Sequence, residues 1–86
     1  MMSTLTQTNE AYCREILSLA QAANFIGKHL PPDDYSKTHC FIFRIPGARI
    51  FRSGERNRNP QIALRSACDA IRGELAARGF DLPDTP

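Results

Sequence analysis

No apolar run in this 86-residue chain approaches the roughly 20 residues that cross a bilayer, so a transmembrane helix is excluded and a soluble protein is expected. No apolar signal segment precedes the cysteines, and there are only three of them, Cys13, Cys40 and Cys68. An odd, widely spaced set of thiols suits a reduced, cytoplasmic compartment better than a disulfide framework. Together with His29 and His39 the cysteines offer neither Cys-x-x-Cys nor His-x-x-x-His spacing, the patterns that bring metal ligands together. His39 precedes Cys40 directly, but neighbours on a strand point to opposite faces and cannot share a proton. No glycine-rich phosphate loop follows a strand, and Asp33-Asp34 reads as a loop or cap and not as an acid and base pair. The expectation is a protein that is not an enzyme, with no catalytic residue, no metal and no cofactor.

What the chain does contain is ordinary for a small globular protein: 42% apolar and 23% charged residues argue against wholesale disorder. It reads as one domain over 1–86, with 1–5 and 81–86 frayed. At this size folding buries only roughly 60 to 65% of the unfolded surface, so support from a second copy is a natural expectation. The net charge of +2 conceals a division. Residues 1–43 carry three basic and four acidic groups, 44–58 carry five and one, and 59–86 carry three and four. Arg44, Arg49, Arg52, Arg56 and Arg58 thus form the one strong charge asymmetry, opposed locally only by Glu55. A local basic block steers an acidic partner or a phosphate backbone, yet falls short of the overall basicity of a dedicated nucleic-acid binder.

Apolar residues recur at three- and four-residue spacing from Thr6 to Ile26, which predicts an amphipathic helix closed by Gly27. Residues 28–38, with paired prolines, predict a loop. His39–Ile45 and Ala48–Ser53 are β-rich runs separated by Pro46-Gly47, a hairpin signal. With those two as turn residues, Phe43 faces Ile50, Phe41 faces Arg52, and Arg44 is opposed to Arg49 on the other face. A Pro-Gly pair suits a type II turn, whose twist matches hairpins poorly, so a longer loop with a shifted register is the alternative. Asn59-Pro60 then reads as an N-cap and first helical residue. Leu64, Ala67, Cys68, Ile71 and Leu75 make that helix's apolar stripe, Ala63, Ala70 and Ala77 allow close approach, and Gly79 stops it. The fold class expected is α+β in the order α-β-β-α, with both helices on one face of the hairpin and a homodimer through the hairpin edge.

The hairpin followed by Asn-Pro-Gln-Ile-Ala-Leu-Arg-Ser-Ala-Cys resembles the closing half of many small phage and mobile-element proteins over residues 40–79. Anti-CRISPR proteins are the best-known such group, and the resemblance implies an accessory protein that blocks or redirects a host system. That group shares no common motif, so it assigns no residue a role. From the residues themselves, the expected site is Arg44, Arg49, Arg52, Arg56 and Arg58, docking a larger acidic protein or nucleoprotein complex as an inhibitor or adaptor. The alternative is a small dimeric nucleic-acid-binding regulator that uses the same basic ribbon. Charged sheet edges are also an ordinary device against aggregation, which is the plain reading of the same arginines.

Overall fold

The computed structural model describes residues 8–85. Helix α1 (Asn9–Ala22) leads into β1 (Ile26–Leu30), β2 (Cys40–Arg44) and β3 (Arg52–Ser53), and the chain closes with α2 (Pro60–Ala77). The three strands form one antiparallel sheet in the order β1-β2-β3, with α2 packed beneath β2 and α1 packed on α2. This is the expected α+β arrangement with one strand more than the hairpin.

The additional strand arises where α1 stops. Thr8 caps its start, the side chain accepting from the Ala11 N–H at 3.0 Å. At its end Asn24 takes a left-handed φ of 68°, and two bonds close a Schellman motif: Asn24 N–H to the Gln21 carbonyl at 3.0 Å, and Phe25 N–H to the Ala20 carbonyl at 2.9 Å. Asparagine tolerates this conformation, so the helix ends four residues before Ile26 and Gly27 is not its cap. Gly27 lies instead in β1, and the expected 28–38 loop begins only after Leu30. Phe25, turned inward by the motif, stacks on Phe43 with ring centroids 6.3 Å apart.

β1 pairs with β2 from Ile26↔Arg44 through Leu30↔Cys40. On the other side the pairs are Ile42↔Ser53 and Phe43↔Arg52, two residues away from the simple hairpin register. Pro46-Gly47 does turn the chain, with Gly47 at φ 86° and the Ala48 N–H bonded to the Ile45 carbonyl at 2.9 Å. Its type II form does not match strand twist, and regular pairing resumes only at Arg52. Further along, His39 and Asn57 exchange backbone bonds of 2.7 and 3.0 Å. Five residues from Ser53 to Asn57 there oppose four from His39 to Ile42, a bulge.

That bulge presses the chain onto α2. A Cβ on Gly54 would stand 2.5 Å from the Ala67 backbone nitrogen, so only glycine fits, and the Glu55 N–H bonds Ser66 Oγ at 2.7 Å. α2 starts and stops where its sequence signals say: Asn59 accepts from the Gln61 N–H at 2.9 Å, Pro60 follows, and Gly79 at φ 84° ends it. Ala63 and Ala67 are its buried small residues, whereas Ala70 and Ala77 are exposed. The core joins Tyr12, Cys13 and Ile16 of α1 to Cys68, Ile71 and Leu75 of α2 beneath Phe43 and Ile45. Leu82 packs against this core, and Arg72 donates to the Pro83 carbonyl at 3.0 and 3.2 Å.

Candidate functional site

Alternation along β2 sends Phe43 to the helix side and Ile42 and Arg44 to the other, where β1 contributes Ile26, Lys28 and Leu30. Because the register is shifted, Arg44 is not opposed to Arg49. It lies over the ring of Phe51, guanidinium carbon 5.5 Å from the centroid, a cation–π contact that removes the like-charge conflict. Cys40 belongs to the same outward series yet is buried, its Sγ donating toward the Gly54 carbonyl at 3.8 Å.

The expected five-arginine ribbon is divided. Arg52 turns to the helix side and forms an ion pair with Glu74 of α2, which also holds Arg78 at 3.2 Å. Arg44 and Arg49 stand at the 45–51 turn, while Arg56 and Arg58 stand at the far end of β2. A five-residue strand separates the two groups by roughly 15 Å at about 3.3 Å per residue. Arg56 reaches Ser36 Oγ at 3.4 Å and so ties the 54–58 segment to the loop between β1 and β2. In that loop Asp33 Oδ1 accepts from Ser36 N–H at 2.6 Å and Tyr35 N–H at 2.9 Å. Those donors, the Ser36 bond foremost, hold the Asp33 carboxyl below the usual carboxylate range, with Arg56 adding a smaller pull. The turn they build leaves Tyr35 99% exposed.

The arginines of α2 behave differently. Arg65 bonds Asp69 and Asn9, each at 2.9 Å, and lies 4.6 Å from the Tyr12 ring centre. Arg72 and Arg78 are held by Pro83 and Glu74. Among the described residues Arg44, Arg49, Arg56 and Arg58 form no ion pair. Beside them Ile50 is 74% and Phe51 41% exposed. Sequence reasoning missed Ile50, which it placed inward opposite Phe43, and it missed Tyr35. The turn chemistry of Pro46-Gly47 was the available signal for the first.

The Cys13 and Cys68 thiols are poor nucleophiles. Burial pushes the Cys13 and Cys68 thiols up, so both stay protonated, and Cys68 Sγ donates toward the Cys13 carbonyl at 3.9 Å. The three cysteines are free and buried. Among the described residues no group of three His, Cys, Asp or Glu side chains is placed to hold a metal, and no helix is long and apolar enough to cross a membrane. No family model matches the chain, and no curated protein or solved structure matches it either.

Proposed function

We propose that the protein is a non-enzymatic inhibitor or adaptor that docks the outward face of its sheet, with the arginines at both ends, on a larger acidic protein. The observation that carries this reading is the mixture of side chains. Arg44 and Arg49, which form no ion pair among the described residues, stand beside the exposed Ile50 and Phe51, and at the other end Arg56 and Arg58 stand with Tyr35. Arginine with aromatic anchors is the chemistry of protein interface hot spots. A phosphate backbone has use for the charge but not for an exposed isoleucine. An accessory role of the kind served by phage and mobile-element inhibitors fits such a surface, with cytoplasmic host machinery as the target.

The test compares capture from a bacterial lysate by the native chain and by an Arg44, Arg49, Arg56 and Arg58→Ala variant. Arg52 is left in place because it serves Glu74. An acidic protein captured by the native chain and lost by the variant is the expected result. Retention of every captured protein by the variant would sink the proposal. Binding of random duplex DNA that weakens by orders of magnitude between about 50 and 200 mM salt would move the assignment to a nucleic-acid-binding regulator.

A further inference from the structure

Of the two edges of the β2-β3 hairpin, the one along β2 is occupied by β1. On the other side β3 is only two residues long. Among the described residues the open edge of any length is that of β1, five residues whose outward N–H and C=O groups are unpaired within the sheet. Neither helix packs closely beneath this strand. A trough remains there, lined by Leu17 of α1, Leu64 and Ile71 of α2, and Gly27 and Phe43 of the sheet, with a volume of about 340 Å³. A second depression of about 280 Å³ continues it past Leu17 and Gly27 toward Phe25. The trough exists because Gly27 has no side chain to fill it and because Leu17 stays 40% exposed on the facing helix.

An open strand edge beside an apolar trough is the arrangement in which an extended segment adds a strand: backbone bonds hold it, and alternate side chains enter the depression. The pleat assigns the positions. Residues opposite Gly27 and His29 point into the trough, and the residue opposite Lys28 points outward beside the ammonium. At the far end His29 is itself stacked on Phe41 at 4.4 Å and bonded to His39 at 2.9 Å, so it presents a ring face.

Pairing over the full length of the strand disfavours a second copy as the natural occupant. Symmetric antiparallel pairing of two β1 strands sets Lys28 against Lys28, a like-charge pair that costs stability. It would also set Gly27 against His29, which brings nothing to fill the space above Leu17 and Ile71.

The geometry points to β1 as a strand-addition site for an extended segment of a partner protein that carries an acidic residue flanked on both sides by apolar ones. Lys28 selects the acidic residue and the trough takes its neighbours. The trough lies on the helix side of the sheet and Lys28 on the outward side, and the site uses none of the arginines.

The probe is the capped peptide Ser-Val-Glu-Val-Ser, which reads the same in both directions, against Ser-Val-Lys-Val-Ser, titrated into the ¹⁵N-labelled full chain. The glutamate peptide is expected to shift the amides of Ile26–Leu30 and of Leu17 saturably, with a Kd of about 1 mM or tighter. The lysine peptide is expected to bind at least about tenfold more weakly. Lys28→Glu should reverse that preference. Gly27→Val should abolish binding of both peptides while the remaining spectrum persists, since a Cβ there meets only the Ile42 carbonyl oxygen at 3.9 Å. Arg49→Ala with Arg58→Ala should leave peptide binding unchanged, which separates this site from the proposed docking surface. Equal binding of the two peptides, shifts confined to other residues, or no saturable shift up to about 5 mM would each overturn the proposal. So would concentration-dependent shifts of the same amides without peptide, because the occupant would then be a second copy.

Discussion

β1 and β3 flank the same central strand and are held to it by opposite means. β1 makes five register pairs with β2, yet Ile26, Gly27, Lys28 and His29 are exposed and no helix supports them closely. β3 makes two, but the segment that continues it lies on the backbone of α2 at Gly54, is bonded through Glu55 to Ser66, and is tied by Arg52 to Glu74. One flank depends on a ladder of hydrogen bonds, whose net contribution in water is small, and the other on packing. Length of pairing and strength of attachment are therefore separate properties in this sheet.

The widest test removes the base on which the β3 flank stands. Tyr12, Cys13 and Cys68 lie in the contact between α1 and α2, and burial raises the pKa of all three, helped at Tyr12 by the bond from its hydroxyl to Asp69 at 2.9 Å. Unfolded, a thiol loses its proton near pH 8.5 and a phenol near pH 10, whereas the folded chain retains them. Above about pH 9 the unfolded state thus binds fewer protons, and stability falls as pH rises, by about 1.4 kcal/mol per pH unit for each group fully engaged. The stabilisation is fully present below those values. Urea unfolding from pH 8 to pH 11 checks it, and a flat profile would contradict the burial of these groups.

Next in size is a matched pair of substitutions. Gly54→Ala forces a methyl group against the Ala67 backbone and is expected to cost about 3 kcal/mol. Gly27→Ala, on the other flank, meets only ordinary contact and should change stability by less than about 0.5 kcal/mol. Equal effects in chemical denaturation would erase the distinction between the flanks. The smallest effect concerns a single bond: Ser66→Ala leaves the exposed Glu55 N–H to water and should cost about 0.5 to 1 kcal/mol. Native-state hydrogen exchange in that variant should quicken at Asn57 more than at Leu30, and the reverse order would place the Ser66 contact on the wrong flank.

Local signals carried much of this fold. Asn59-Pro60 and Gly79 mark helix ends that the structure uses, since capping chemistry is a matter of a few adjacent residues. β1 was not legible because Ile-Gly-Lys-His-Leu has little strand character, and the apolar period of α1 runs on into it past Asn24. The pairing with β2 imposes extension there. For the candidate site, sequence locates the arginines but not their partners: Glu74 lies 22 positions from Arg52, and no local pattern predicts that meeting. The sequence likewise shows a continuous basic stretch, and only the course of β2 and β3 divides it into two ends.

The sealed thiols give the chain its own clock for opening. Cys40 sits on the central strand against Gly54, and Cys13 and Cys68 sit between the helices. An alkylating reagent reaches each sulfur only when the structure around it parts. The order in which one, two or three labels accumulate therefore reports whether the segment around Gly54 parts from β2 before the helices separate from each other, without any engineered probe.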